Sequence, residues 1–360
     1  MSDLPRTIAA VTRGMEQGLH LGAQLYVSRH GQVVADEAFG EARRGVPMRT
    51  DTLMLWLSAG KPITAVAVAQ MWERGKLELD DRVAQHIPEF ASGGKDAITI
   101  RHILTHTAGF RAVLGHWEDQ PWDAVIAAVC AARLEPRWIP GVTAGYHGLT
   151  SWYILGEIVR RLEGRAFDRY VREEIFLPCG MDDSWIGIPI ERQEAYGERF
   201  GLMHDMTQGQ KVYSFDTPRI AAQCRPPSNA RGPIQELGKL YEMLLNRGKG
   251  ILKAQTIEAL TAHHRVGLYD KTFRHVVDWG LGFICQSNQY GVETVPYGYG
   301  PHASPRTFGH SGARSSIGYA DPEHGLVVGC VFNGAPSEAK HHQRMREVNA
   351  AIYEDLGLVA

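Results

Sequence analysis

Ser58 and Lys61 are the residues whose types and spacing most clearly could do chemistry, in the run Leu57-Ser58-Ala59-Gly60-Lys61-Pro62. Pro62 fits the first turn of a helix, where its missing N–H costs nothing, so a helix begins close to Ser58. The following Ile63, Ala65, Val66, Val68, Ala69, Met71 and Trp72 are apolar around most of a helical circumference, the pattern of a buried helix. Residues 58 and 61 then lie one turn apart on one face and can meet. Burial and the positive end of the helix macrodipole both push a lysine's pKa down, which makes a neutral amine available as a base. The same dipole favours a developing serine alkoxide. A weak hydroxyl with a base within hydrogen-bond reach is what nucleophilic catalysis requires. The plainer alternative makes Ser58 a helix cap and sends Lys61 out to solvent.

The same spacing occurs twice more. Ser92 and Lys95 lie in a polar, glycine-rich stretch with no reason to be rigid. Ser337 and Lys340 open the last helix, where Ser337 reads as its cap. Other motifs fail on spacing. Gly60-Lys61 resembles the end of a phosphate-binding loop, but Leu55 and Pro62 stand where Gly and Ser or Thr are needed. His102 and His106 are one turn apart without the glutamate of a zinc peptidase, and read as structural. The adjacent pairs His263-His264 and His341-His342 read as surface residues. Gly309-His310-Ser311-Gly312-Ala313 is one residue short of a nucleophile elbow, and residues 315–332 read as strand, turn and strand rather than the helix an elbow needs. Ser311 is therefore not expected to be the nucleophile.

The elements that must position Ser58 and Lys61 are legible in outline. An amphipathic helix is expected over 5–19, then a hairpin of strands 23–28 and 33–39. From about 60 to 265 the pattern is mainly helical, with helices over 62–74, 122–133, 149–163, 235–246 and 254–263. Strands return at 279–286, 316–320 and 326–332, and a final helix spans 338–356. The expected class is α/β (α+β): an antiparallel sheet formed from both chain termini and flanked by helices, with a large, mainly helical insertion. Residues 1–58 plus 270–360 would form the sheet domain and 59–269 the helical one, with the active site in the cleft between them.

Composition excludes several classes. The 360 residues are 44% hydrophobic and 22% charged, with 38 basic against 40 acidic side chains and a formal charge of −2. A nucleic-acid groove or membrane patch dominating the molecule would need a cationic excess. The most apolar stretch, 53–72, is broken by Lys61, so no membrane span is expected. The first residues show no secretory leader, and five scattered cysteines without a CxxC read as reduced thiols, so the expected compartment is the cytoplasm.

Four stretches, in this order, resemble the serine β-lactamase and penicillin-binding-protein superfamily, in its class C-like branch with class VIII carboxylesterases. They are Leu57 to Thr64, Ile98 to Gly109, Pro140-Gly141 through Tyr146-His147-Gly148, and Phe308-Gly309-His310-Ser311-Gly312. The resemblance implies a β-lactamase/transpeptidase-like fold, Ser58 as acylated nucleophile, Lys61 as general base and Tyr146 as proton relay. It also implies that His310-Ser311-Gly312 forms a substrate-binding edge strand and that the Ala313 N–H joins that of Ser58 in an oxyanion hole. No metal or cofactor is implied. Phe110, Trp117 and Trp138 are candidate pocket-lining residues. Two departures weaken a lactam or peptide assignment: Gly148 stands where the superfamily has an asparagine that contacts the substrate amide, and His310 where it has a lysine. The expectation is a serine hydrolase of small carboxylic esters, with acyl transfer, β-lactam hydrolysis or D-amino acid amide hydrolysis as alternatives at the same site. Its partner would be a small-molecule ester, amide or acyl donor.

Overall fold

A computed structural model describes residues 4–111 and 120–359. Helix α1 (Pro5–Glu16) leads into the hairpin of β1 (Gly22–Arg29) and β2 (Gln32–Arg43), and β3 (Val46–Pro47) closes that edge. The chain then enters a helical region containing α2 (Lys61–Glu73), α3 (Trp122–Ala131), α4 (Thr150–Glu163) and α5 (Ile234–Leu245). It returns through β4 (Ile284–Cys285), β5 (Phe308–Gly312), β6 (Ser316–Asp321) and β7 (Leu326–Phe332), and ends in α6 (Glu338–Asp355). All seven strands form one antiparallel sheet in the order β4-β5-β6-β7-β1-β2-β3, so strands from both ends of the chain meet at β7 and β1.

The uniformly apolar β7 follows from cover on both faces. Val327 and Val331 pack with Leu237, Leu240 and Tyr241 of α5, whereas Val328, Cys330 and Phe332 pack with Val11 of α1 and Val348 and Ile352 of α6. Alternation puts successive side chains on opposite faces. On β5 the same rule sends Phe308 and His310 toward the helical region and Ser311 toward α6.

Helix α2 is buried from Lys61 to Met71. Each large aliphatic side chain buried there contributes about 1.5–3 kcal/mol, which offsets the cost of carrying a lysine into the interior. A small antiparallel sheet of Met54–Leu55, Ala230–Gly232 and Trp185–Ile186 ties the segment before α2 to the helical region. No helix among the described residues is long and apolar enough to cross a membrane.

The second Ser-x-x-Lys pair differs from expectation. Lys95 is fully buried, and its ammonium donates to the carbonyls of Ser92 (2.8 Å), Cys130 (2.9 Å) and Ala132. A cation on the last carbonyls of α3 satisfies acceptors the helix leaves open and opposes the negative end of its dipole. The stretch is rigid for that reason. His341 is likewise buried rather than on the surface, with Nδ1 3.0 Å from Arg344 Nη2, while His263 and His264 are exposed. Ser337 does cap α6, accepting from the Lys340 N–H.

Candidate active site

Ser58 sits in a 3₁₀ turn, Leu57–Gly60, that runs directly into α2. The approach to it is pinned at Trp56. Its N–H donates to Ala230 O (2.9 Å), its indole N–H to Gly232 O (3.0 Å), and its carbonyl accepts the Ser316 hydroxyl (2.6 Å). Leu57 then takes a left-handed backbone, φ +50°, a conformation that is costly for a residue with a branched chain and persists only where the surroundings enforce it. That sharp reversal leaves Ser58 half-buried at the start of the helix.

Gly60 has a structural reason. A Cβ there would collide with the Ala230 methyl, so the first turn can lie against the 230–232 strand only with glycine. Gly312 of β5 is required for a similar cause: a Cβ would meet the Trp56 carbonyl, the Ser316 hydroxyl and, at 3.2 Å, the Leu57 Cβ. Strand β5 and the Ser58 turn are therefore in backbone contact.

Lys61 is fully buried, with Nζ 2.6 Å from Ser58 Oγ and 2.6 Å from the Pro227 carbonyl. Burial holds its pKa well below the ordinary lysine value. Its position at the start of α2 adds dipole opposition to the ammonium. A neutral amine can donate one N–H to Pro227 O while its lone pair takes the Ser58 proton.

Tyr146 approaches from the loop before α4. Burial raises the pKa of its phenol, the nearby Ser58 hydroxyl opposing and the Asp270 charge reinforcing the rise. Its ring lies 5.5 Å from Lys61 Nζ. The residue that follows, His147, turns the other way: its Nε2 accepts the N–H groups of Gly109 (2.9 Å) and Phe110 (3.2 Å), and burial lowers its pKa to about 4. His106 accepts the His147 N–H at Nδ1 (3.0 Å), and His102 accepts the Thr99 N–H at 3.2 Å. These histidines hold the loops that carry Tyr146. At Gly148 a Cβ would meet nothing nearer than Tyr146 Cε1 at 3.7 Å, so a side chain there has room.

His310 faces the same group from β5, its ring 6.0 Å from Tyr146 and 5.6 Å from Trp279. Its Nδ1 is 2.9 Å from the Ser311 carbonyl, which makes that nitrogen the donor. Burial first, and Lys61 second, bring its pKa down to about 3. It is a neutral imidazole above that pH and supplies none of the positive charge of a lysine. Ser311 points to the other face of β5, with its hydroxyl in a small cavity beside Tyr297 and His341. Ala313 is exposed in the turn after Gly312, and among the described residues neither its N–H nor that of Ser58 donates to another backbone group. Strand β4 pairs with Phe308 and Gly309 of β5.

The structure thus brings Ser58, Lys61, Tyr146 and His310 together. It does not bring Phe110 or Trp138 to them. Phe110 is buried against Phe90 (5.2 Å) and His147 (5.3 Å), and Trp138 is buried with its N–H on the Thr107 carbonyl and the Arg111 guanidinium 4.8 Å over its ring. Both pack the interior. Trp117 lies outside the described residues. Sequence reasoning missed the Pro227 carbonyl, which carries no side-chain signal, and the buried pair Arg265 and Asp270, whose carboxylate accepts the Tyr146 N–H at 3.0 Å.

A family model described as Beta-lactamase matches residues 7–351. The chain is 26% identical to "Esterase/beta-lactamase LipL" of Mycobacterium tuberculosis, over 91% of this chain and 80% of that protein. Among solved structures, a penicillin-binding protein homologue from Caulobacter crescentus superposes with a TM-score of 0.77 at 27% identity, and a family VIII carboxylesterase with 0.78 at 26%, each covering 97% of both chains.

Proposed function

The chain belongs to the beta-lactamase family, and from that premise we propose that it is a serine hydrolase that cleaves small carboxylic esters through an acyl–Ser58 intermediate. The observation that carries the reading is the 2.6 Å approach of a buried Lys61 amine, its pKa held down by burial, to the Ser58 hydroxyl. Lys61 takes the serine proton as Oγ attacks the ester carbonyl. The N–H groups of Ser58 and Ala313 receive the oxyanion, an arrangement worth about 10²–10³ in rate per donor. Tyr146 passes a proton to the departing alkoxide, and the alcohol leaves. Water then attacks the acyl group, its proton returning through Tyr146 and Lys61 to restore Ser58 and release the carboxylic acid.

The preference for esters is supported by two features. His310 is neutral, so a substrate carboxylate finds no lysine charge beside it. Gly148 offers no side-chain amide to an acyl-group amide. A site without polar partners discriminates weakly in favour of groups that need them.

Incubation with a fluorophosphonate is expected to add one phosphonyl group to Ser58, located by peptide mass, and none to Ser58→Ala. The wild type should turn over p-nitrophenyl esters well ahead of nitrocefin or D-alanyl amides, with acyl transfer to added alcohols read in the same assays. Absence of the adduct, or faster nitrocefin than ester turnover, would refute this reading. The room at Gly148 gives a further expectation. Gly148→Asn should fold like the wild type and raise nitrocefin or amide turnover relative to ester turnover by about fivefold to tenfold, the value of roughly one net hydrogen bond. An unchanged ratio would show that this position does not contact the acyl group.

A further inference from the structure

We propose that Asp270 is the residue that positions Tyr146 for proton transfer, acting through one carboxylate that binds the tyrosine backbone, the turn beside it and a buried arginine. This rests on the reading of Tyr146 as proton donor to the leaving group. Asp270 is fully buried. Its Oδ1 accepts the N–H groups of Tyr146 (3.0 Å), Thr272 (2.9 Å) and Phe273 (3.0 Å). Its Oδ2 accepts from Arg265 Nη2 at 3.0 Å, and that guanidinium also donates to the carbonyls of Thr105 (3.2 Å) and Val277 (2.9 Å).

The turn grips back. The Thr272 hydroxyl donates to the Tyr146 carbonyl at 3.0 Å, and the Lys271 N–H to Ala144 O at 3.1 Å. Phe273 lays its ring on that of Tyr146, centroids 4.8 Å apart and 19° from parallel. Residues 270–273 thus fix both the backbone and the ring plane of Tyr146. A neutral side chain cannot reproduce this, because three N–H groups on one oxygen and a guanidinium on the other call for a full negative charge. Another fully buried ion pair among the described residues, Arg231 with Asp216, braces Met203 N and Phe215 O and touches none of the site residues. A misplacement of about 1 Å at a reacting group costs on the order of 10²-fold in rate.

The test compares two esters of one acid. An alkyl ester expels a poor alkoxide that needs the phenol proton, and a p-nitrophenyl ester expels a good leaving group that does not. Asp270→Asn is expected to lower kcat/KM, which reports acylation and not the deacylation step the two esters share, by about 10²-fold for the alkyl ester and by less than about tenfold for the nitrophenyl ester. Fluorophosphonate labelling of Ser58, whose fluoride leaves without a proton, should persist. Tyr146→Phe should show the same skew. Equal losses on both esters in an Asp270→Asn protein that still labels would overturn the proposal and leave a purely structural residue. If Asp270→Asn does not fold, Thr272→Val at an exposed position carries the test: a skew of a few-fold supports positioning, and none overturns it. Tyr146→Phe without skew would remove the proton-donor reading and this inference together, whereas skew there but not in the Asp270 or Thr272 variants overturns the inference alone.

Discussion

Lys61→Met is expected to lower kcat/KM for a p-nitrophenyl ester by about 10³–10⁴, the upper range for loss of a general base. Methionine matches the lysine stem in length and suits a fully buried position, so the loss reports proton transfer rather than collapse. The same variant carries a stability signature with a definite sign. In the folded protein burial depresses the Lys61 pKa well below its ordinary value, while in the unfolded chain it is an ordinary ammonium. Between the two pKa values the unfolded state therefore binds one more proton than the folded state. Wild-type stability then rises with pH across that window, up to about 10.4, and falls as the pH drops through it. The methionine variant lacks this contribution. Calorimetry in steps from pH 7 to pH 10 should show the wild type gaining Tm on the variant as pH increases. A difference that stays flat would mean that Lys61 is charged in the folded state, and a fall in activity below tenfold would mean that it is not the base.

The acid limb of the ester pH–rate profile follows from the same shift. The proposed mechanism requires the unprotonated amine, so kcat/KM should rise with pH through a value well below that of free lysine. His310 contributes nothing to that limb at neutral pH, since its pKa of about 3 lies far beneath it.

Much of this arrangement is visible in the residues, and what is hidden has physical reasons. Helix α2 was expected over 62–74 and spans Lys61–Glu73, because proline and an all-round apolar pattern mark a buried helix start without tertiary help. Strand β7 matches its expected 326–332 because cover on both faces demands an unbroken apolar run. By contrast, the strand expected over 279–286 contracts to Ile284–Cys285. Gly280 packs against the Leu260 carbonyl and Gly282, at φ +86°, against Ala65, so both serve close approach rather than a ladder. The three short strands that pin Trp56 hold two or three residues each, too few for any periodicity. Charge states were the least legible feature. Lys95 lies in a stretch whose sequence gives no reason for rigidity and His341 reads as a surface residue, yet carbonyls at the end of α3 and the space beneath β5 draw both inside. Asp270 offers only an acid in a polar turn until folding places Tyr146 above it.

The backbone contact between β5 and the Ser58 turn leads to the second large effect. Gly312→Ala inserts one methyl group where the Trp56 carbonyl, the Ser316 hydroxyl and Leu57 Cβ already meet. Side chains can rotate from such a clash, but the Trp56 carbonyl is held by Ser316, and Trp56 itself by two bonds to the 230–232 strand. Relief therefore requires β5 to withdraw from the 57–60 turn. Overpacking of this kind costs about 1–3 kcal/mol, a fall in Tm that calorimetry detects. The catalytic cost should exceed what that destabilisation implies, because Ala313 follows Gly312 directly and its N–H moves with the strand. Separating the two proposed oxyanion donors should lower kcat by about 10²–10³ while leaving KM for a small ester close to the wild-type value. Ser58 and Lys61 stay on α2 and its leading turn, so fluorophosphonate labelling should slow along with kcat, since the phosphonyl oxygen needs the same donors. Gly60 provides the internal contrast, for its neighbour is a single Ala230 methyl and not a fixed carbonyl. Full activity in a stable Gly312→Ala protein would mean that β5 does not form the second wall of the oxyanion site, and the Ala313 amide would lose its role.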